Sequence, residues 1–200
     1  MTNILIIGAN GQIARVATRQ LLERTDATLT LYLRHARRLG SLASNPRIRL
    51  VEGDATDAAT LDQAMIGQDI VYANLAGDMK RQAQTIVASM KKASVRRLIF
   101  ISSMGIYGEV PGQRYRSILD PYRDSAAVVE NSGLDFTVIR PAWLNDDDEI
   151  AYGITRKGEP FANASDTVSR ASIADLIVRL VTQPRFGIGD SFGVHGDRDR

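Results

Sequence analysis

The stretch ILIIGANGQIA, residues 4–14, decides the fold of this chain. Four apolar residues at 4–7 run directly into the pattern Gly8-x-x-Gly11-x-x-Ala14, and a helical pattern begins at once. At such a strand-to-helix turn the first glycine permits a tight turn, the second leaves room for a phosphate, and the small third residue lets the helix pack closely on the strand. The free N–H groups and the positive dipole end of the helix then face the anion. We therefore predict a dinucleotide site contacted by Gly8, Asn10, Gly11, Gln12 and Ile13.

The composition is that of an ordinary globular protein. Of 200 residues, 44% are hydrophobic and 24% are charged, which predicts one domain spanning residues 1–200. No apolar run is long enough to cross a membrane, no signal peptide is visible, and the lack of cysteine excludes disulfides and thiolate metal sites. The net charge of +2 comes from scattered basic residues, so neither nucleic acid nor a membrane is an expected partner. We expect a cytoplasmic protein.

Strand-like and helix-like segments alternate along almost the whole chain. The strand-like segments are short apolar runs, several of them continuous, as is typical of strands covered by helices on both faces. They lie at 4–7, 28–33, 48–51, 69–74, 97–102, 134–139 and 191–194. Repeated β-α-β units predict an α/β fold: a single-domain, Rossmann-like, doubly wound parallel sheet with helices on both faces. The ligand should lie where strand order reverses, between strands 1 and 4.

The helices carry recognisable start and stop signals. Asp57 is the predicted N-cap of the helix that follows the third strand. Asp120, with proline next to it, predicts the N-cap of a later helix, which Gly133 would close. Ser172, three residues before an aspartate, predicts a capping box that opens the last helix.

Two long stretches, 103–118 and 141–170, show no regular pattern. In a compact α/β fold long loops usually carry the substrate-facing surface, so we expect a small-molecule substrate to bind there. The second stretch contains four consecutive acids, Asp146, Asp147, Asp148 and Glu149. Because no histidine lies near them, they indicate a solvated turn rather than a cation site, and we expect no metal.

The residue after the second strand indicates which coenzyme is bound. An NAD site carries an acidic residue there for the ribose 2′-hydroxyl, whereas this chain has Arg34, with Arg37 and Arg38 close behind. A guanidinium attracts a 2′-phosphate and can bond it in a bidentate fork. We therefore predict NADP (NADPH). The alternative for the arginines is that they are solvated side chains on a short helix.

Other predicted cofactor contacts follow the third, fourth and fifth strands. Asp54 stands where a carboxylate can accept a bond from the adenine amino group, with Ala55 beside it. The residues at the end of the fourth strand are small enough to let the adenosine ribose lie against the backbone. The contacts predicted in these places are Asp54, Ala55, Ala73, Asn74, Ala76 and Ser102.

Several segments together resemble the atypical short-chain dehydrogenases, in particular the NmrA-like and the biliverdin/flavin-reductase-like NAD(P)H-binding proteins. The resemblance covers nearly the whole chain, and its most specific part is SGLDFTVIRPAWL at 132–144. The other segments are GANGQIA, EGDATD at 52–57, ISSMGIYG at 101–108 and SRASIADLI at 169–177. The resemblance implies an NADP-binding Rossmann domain, with Pro141 and Ala142 in the segment that backs the nicotinamide ring. Trp143, next along, either walls the pocket or belongs to the core.

Catalytic members of that superfamily use a serine, a tyrosine and a lysine. By resemblance, Ser103 matches the serine and Tyr122 the tyrosine, but Ala126 stands in the place of the lysine. Without the ammonium, an ordinary tyrosine pKa of about 10 leaves roughly a thousandth of the phenol ionised at pH 7. Oxidation of an alcohol by a tyrosinate base is therefore not expected, whereas reduction needs only a proton donor. Ser103 could also simply bond the backbone, and Tyr122 could pack on the loop.

These observations predict an oxidoreductase that passes hydride from NADPH to a small carbonyl or to a flavin- or quinone-like acceptor. One alternative is a redox-sensing NADP-binding regulator of the NmrA type, without catalysis. A weaker alternative is a sugar-nucleotide epimerase or dehydratase, which would normally need the lysine and a larger carboxy-terminal region. A homodimer is compatible with the sequence and is not demanded by it.

Overall fold

The computed structural model describes residues 1–197. The strands in this part are β1 (Asn3–Ile7), β2 (Thr28–Leu33), β3 (Ile48–Glu52), β4 (Ile70–Ala73), β5 (Arg97–Ile101), β6 (Asp135–Pro141), β7 (Trp143–Asn145), β8 (Tyr152–Arg156), β9 (Thr167–Ser169) and β10 (Asp190–Gly196). The α-helices are α1 (Gln12–Arg24), α2 (Ala58–Met65), α3 (Met79–Lys92), α4 (Asp120–Glu130) and α5 (Arg170–Thr182). Short 3₁₀ helices occupy Ala36–Leu42, called here the 36–42 helix, and Ser117–Leu119.

Eight strands form one sheet in the order β3-β2-β1-β4-β5-β6-β10-β8. The first seven in this order run parallel, and β8 pairs antiparallel with β10. The predicted α/β doubly wound parallel sheet is thereby confirmed. The reversal of strand order between β1 and β4 is confirmed as well, and it opens a crevice beyond the carboxyl ends of these two strands.

Each face of the sheet has its own core. On β1, Ile4 and Ile6 belong to the cluster that includes α1 and α5, whereas Leu5 and Ile7 belong to the cluster that includes α2, α3 and α4. All four side chains are at most 1% exposed. A strand covered on both faces must be apolar at every position, which explains why residues 4–7 do not alternate with polar residues.

The stretch 141–170, expected to be irregular, contains three strands. β7 and β9 pair in parallel as a separate two-stranded sheet, and β8 adds an antiparallel edge to the main sheet. The expectation of an irregular stretch is therefore wrong. These strands are short, and each pairs with a segment distant in sequence, so no local periodicity marks them.

Two helix ends differ from their sequence signals. α5 begins at Arg170, because Ser169 is its N-cap and its Oγ accepts the Ser172 N–H at 2.9 Å. The capping box predicted at Ser172 is thus wrong by three residues. Asp120 is the first residue of α4 rather than its N-cap, and α4 ends at Glu130.

Other helix signals are placed as follows. Gly133, in the left-handed conformation with φ +74°, lies beyond the C-cap of α4 at Asn131 and does not close that helix directly. The predicted cap at Asp57 is confirmed, since its carboxylate accepts the N–H groups of Ala59 and Thr60. No helix within residues 1–197 is long and apolar enough to span a membrane.

Candidate functional site

The glycine turn between β1 and α1 is wedged against the end of β4. Gly8 has φ +76°, and a Cβ there would collide with the backbone carbonyl of Asn74. A Cβ on Gly11 would collide with the Asn74 side-chain amide. The Gly11 N–H donates to the Gly8 carbonyl at 2.9 Å, and Asn74 N–H donates to the Ile7 carbonyl at 2.9 Å. Both glycines are therefore required by the packing of the turn itself, in addition to any ligand.

The start of α1 is suited to an anion. Gly11 is its N-cap in an extended conformation, and over the described residues no side chain caps this end of the helix. The first turn also contains no acidic residue. The orphan N–H groups of the first turn and the positive end of the helix dipole are thus left for a ligand or solvent.

A cleft of about 290 Å³ lies beyond the carboxyl ends of β1 to β4. Eight residues predicted from the sequence as cofactor contacts line it: Gly8, Asn10, Gly11, Arg34, Asp54, Ala55, Asn74 and Ala76. Other lining residues were not among those predictions: Ile7, Tyr32, Leu33, His35, Arg38, Gly53, Leu75 and Gln82. The remaining predicted contacts lie outside this cleft: Gln12, Ile13, Arg37, Ala73, Ser102, Pro141 and Ala142.

Tyr32 near the end of β2, and Gly53 and Asp54 just after β3, build one wall of the cleft. The Tyr32 hydroxyl donates to the Asp54 carbonyl at 2.9 Å, and a Cβ on Gly53 would collide with the Tyr32 ring. Burial raises the pKa of Tyr32 to about 12, helped by the carboxylates of Asp57 and Asp54. Tyr32 could have been suspected from the sequence, because it is the one polar-tipped side chain in an otherwise apolar strand end.

Asp54 is held as a carboxylate. The hydroxyl of Thr56 and then its N–H, at 2.7 and 2.8 Å from Oδ1, lower the pKa of Asp54, with smaller contributions from Arg34 and Arg81. An ionised Asp54 at the cleft wall can accept a hydrogen bond from an amino group but repels a phosphate. A phosphate group in this cleft would therefore be favoured on the side of its arginines.

The arginines follow β2. Arg34 and Arg38 both line the cleft and are exposed, and Arg37 is also exposed but does not line the cleft. The 36–42 helix that carries two of them is held by Glu52, whose carboxylate accepts the Ala36 N–H at 2.7 Å. Two guanidinium groups are thus placed at the end of the cleft away from Asn74.

The predicted nicotinamide end lies at the carboxyl ends of β5 and β6. The Met104 N–H donates to the Pro141 carbonyl at 3.2 Å, which joins the segment after β5 to the end of β6. The buried Ser102 hydroxyl donates to the Tyr122 carbonyl at 3.2 Å. These bonds bring the segments that carry Ser103, Tyr122 and Pro141 together. Ser103 itself is half-buried, and its hydroxyl lies 3.2 Å from the Met104 carbonyl.

The position that matches the lysine of catalytic short-chain dehydrogenases is buried in this chain. Ala126 is fully buried in α4, within the core that covers one face of the sheet. Ala126 thus supplies no ammonium group one helical turn after Tyr122, and a lysine could not be accommodated there without repacking.

The loop after β5 is anchored by an ion pair that the sequence analysis missed. Arg140 on β6 is fully buried and pairs with Glu109, whose side chain is 6% exposed. The Glu109 carboxylate also accepts the N–H groups of Gly105 and Tyr107 at 3.0 and 2.9 Å. Arg140 Nε donates to Ser191 Oγ at 3.0 Å. The available signal was an arginine inside an apolar strand, since a buried guanidinium needs a carboxylate partner.

The hydroxyl of Tyr107 is engaged in structural hydrogen bonds and is not a candidate proton donor. Its hydroxyl bonds the Glu130 carboxylate and lies 3.1 Å from Ser191 Oγ, and Lys157 Nζ reaches Glu130 at 2.8 Å. Burial, above all, raises the pKa of the Tyr107 phenol well above its usual range. The phenol is thus a protonated structural group.

The two predicted substrate loops expose large apolar side chains. Ile118 is 69% and Trp143 57% exposed, and Tyr115 and Ile150 are exposed as well. The alternative that Trp143 belongs to the core is therefore wrong. In the acidic turn, Asp146 bonds Arg170 at 2.8 Å, and the described residues contain no group of three or more acids, histidines or cysteines that could hold a metal.

Comparison with known proteins agrees with this geometry. Residues 8–184 match a family model described as NAD(P)H-binding. A Rossmann-fold NAD(P)-binding family protein from Shigella flexneri is 40% identical, with a TM-score of 0.85 over 99% of this chain and 95% of that one. A short-chain dehydrogenase/reductase from Veillonella parvula DSM 2008, in complex with NADP, is 28% identical, with a TM-score of 0.88 over 98% of this chain and 95% of that one.

One curated relative is a (4-alkanoyl-5-oxo-2,5-dihydrofuran-3-yl)methyl phosphate reductase from Streptomyces griseus. It is 27% identical over 138 residues, which are 69% of this chain and 46% of the relative. The chain thus matches less than half the length of that protein.

Proposed function

The chain belongs to the NAD(P)H-binding family of oxidoreductases, and from this premise we propose that it is an NADPH-dependent reductase. Its acceptor would be a small carbonyl compound or a flavin- or quinone-like molecule with a flat, apolar face. The observation that carries the proposal is the cleft at the switch point, where an uncapped helix start and two arginines face one ligand space.

The residues present fit a dinucleotide. Gly8 and Gly11 line the cleft with backbone alone, and Asn74 occupies the space that a Cβ at either position would need. Asp54, ionised and turned to the cleft, suits the adenine amino group. The diphosphate is assigned to the N-terminus of α1, where backbone N–H groups are available.

Arg34 and Arg38 support NADPH rather than NADH. Each guanidinium can donate two parallel hydrogen bonds to a 2′-phosphate, whereas a ribose hydroxyl offers them no charge. The V. parvula structure contains NADP, which points the same way.

When bound, NADPH supplies a hydride from its nicotinamide ring. The acceptor also takes up one proton, so that a carbonyl becomes an alcohol, or a quinone a hydroquinone, as NADPH becomes NADP⁺. We assign the donation of that proton to Tyr122 or to a water beside Ser103. Because Ala126 provides no ammonium to assist a tyrosinate base, the arrangement favours reduction over alcohol oxidation.

The exposed apolar side chains support a flat acceptor. Trp143 follows the Pro141–Ala142 segment, and Tyr115 and Ile118 belong to the loop between β5 and α4. Burial of these side chains against an aromatic ring system would remove apolar surface from water. A small polar sugar would gain little from them.

The proposal is tested by following NADPH absorbance with a panel of quinones, flavins and aldehydes. We expect turnover with at least one aromatic acceptor, and a KM for NADPH raised about tenfold or more in Arg34→Ala with little change for NADH. Arg49→Ala, an exposed arginine on β3 outside the cleft, is the matched control. Tight NADPH binding without turnover of any acceptor would refute the enzymatic proposal.

A second candidate is a redox-sensing regulator that binds NADP and a protein partner. The buried alanine in the lysine position favours it, and the exposed Ile118 and Trp143 would then be partner contacts. A pull-down with and without NADP separates the two: partner capture that depends on NADP, with no turnover, supports the sensor.

A further inference from the structure

Beside the cofactor cleft lies a second cavity of about 490 Å³, between α1, the 36–42 helix and the start of α5. We call it the arginine crevice. The polar residues that line it include Arg15, Thr18, Arg19, Arg38, Asp146 and Arg170. We propose that the arginine crevice is a separate binding site for a small phosphorylated molecule.

The charge of the crevice favours an anion. Four guanidinium groups, of Arg15, Arg19, Arg38 and Arg170, face it with a single carboxylate, that of Asp146. Arg15 and Arg19 are one helical turn apart on α1, so their side chains lie next to each other. A cavity whose walls carry mostly one sign of charge concentrates counter-ions of the opposite sign, and guanidinium forks match phosphoryl oxygens.

Two buried polar atoms of the lining lack a partner. Within residues 1–197, Thr18 Oγ1 and Arg170 Nε are buried and make no hydrogen bond, and Thr18 as a whole is 3% exposed. Such groups cost free energy unless a ligand or water completes them. Each of these two atoms exposes less than 1 Å² to solvent, so the preference of the crevice for an anion rests on its guanidinium groups rather than on these atoms.

Arg170 is already oriented for this role. Its Nη1 donates to the Asn145 carbonyl at 3.0 Å and to Asp146 at 2.8 Å, and its Nη2 donates to Gln12 Oε1 at 2.8 Å. The guanidinium is thereby fixed between the start of α1 and the segment after β7. A fixed guanidinium loses little freedom when it binds an anion.

The arginine crevice is distinct from the cofactor cleft. Of the described residues, Arg38 alone lines both cavities. The glycine turn and Asn74 line the cleft, whereas the outward face of α1 lines the crevice. Binding in the crevice therefore does not depend on the proposed reductase activity, and Arg15 and Arg19, which line the crevice but not the cleft, report on the crevice alone.

The test is calorimetric titration of the whole protein, saturated with NADP⁺ so that the cofactor cleft is filled, with inorganic pyrophosphate, against sodium chloride of equal ionic strength. We expect wild type to bind pyrophosphate and the double variant Arg15→Ala/Arg19→Ala to bind it at least tenfold more weakly. Arg49→Ala, which removes an exposed charge outside both cavities, should bind within about twofold of wild type.

Two results would overturn the proposal. One is heat no larger than that of the salt control. The other is pyrophosphate binding as tight in the double variant as in wild type, which would place the ion outside the arginine crevice. Because Arg15 and Arg19 are exposed, both variants should fold, and an unchanged thermal transition establishes that they do.

Discussion

At the end of β2, Tyr32 and Arg34 face the same cleft with different roles. Tyr32 is 1% exposed and ties β2 to Asp54, whereas Arg34 is exposed and free to meet a ligand. Tyr32 thus shapes the wall of the cleft, and Arg34, two residues later, gives the cleft a positive charge. The consequences of changing them differ accordingly: Tyr32 governs stability and Arg34 coenzyme preference.

Tyr32→Phe should change the dependence of stability on alkaline pH. The pKa of Tyr32 is raised to about 12 in the folded protein, against about 10 in an unfolded chain. Below pH 10 the phenol is neutral in both states. Between pH 10 and 12 only the unfolded chain ionises, so stability present below pH 10 is lost as pH rises.

We therefore expect the free energy of unfolding to fall less between pH 9 and pH 11 in Tyr32→Phe than in wild type, by about 1 kcal/mol. Urea denaturation at the two pH values measures this. At pH 9 the variant should lose only the hydrogen bond to Asp54, about 1 kcal/mol. Identical losses with pH in the two proteins would contradict the assignment.

At the scale of secondary-structure elements, the sequence predicted those features that are determined by a local residue pattern. The six strands before residue 142 and the capping aspartate of α2 could be predicted because apolar runs and caps are local signals. β8 could not be predicted in this way, because its antiparallel partner β10 lies more than thirty residues away in the sequence. Of the predicted cofactor contacts, those after β1 to β4 largely line the cleft because parallel strands end at one edge.

The missed parts of the site are pairings in three dimensions. Arg140 and Glu109 meet because the loop after β5 folds over the end of β6, and no sequence spacing announces that contact. Tyr32 and Gly53 likewise fit one another across two strands. Such contacts depend on register and loop path, which sequence periodicity does not specify.

Breaking the buried Arg140–Glu109 ion pair should lower the free energy of unfolding more than breaking an exposed ion pair. Glu109→Ala leaves the Arg140 guanidinium buried without its carboxylate, so we expect a loss of about 3–5 kcal/mol in the free energy of unfolding. Arg96→Ala, which removes an exposed pair with Asp135 beside the same strand, should cost far less, because solvent screens that pair. Urea denaturation compares them, and equal losses would contradict the role given to Glu109.

At the scale of the whole molecule, the two hydrophobic cores cover the faces of the sheet, and the candidate functional residues lie at the carboxyl ends of its strands. The cofactor cleft, the exposed apolar side chains and the segments with Ser103 and Tyr122 all lie at or beyond the carboxyl ends of parallel strands. This is where an open α/β sheet binds its ligands. The arginine crevice lies beside that edge, on the outer side of α1.

The central claim is that the glycine turn and the start of α1 bind the diphosphate of a nicotinamide dinucleotide. Thermal unfolding with increasing NADPH, paired with calorimetry, tests it most directly. A ligand at about 100 times its Kd stabilises the folded state by about 2.7 kcal/mol, which should raise Tm by roughly 5–10 °C for a chain of this size. We predict this rise with one NADPH bound per chain, and its loss in Gly11→Ala. No heat and no change in Tm with either NADPH or NADH would contradict the account.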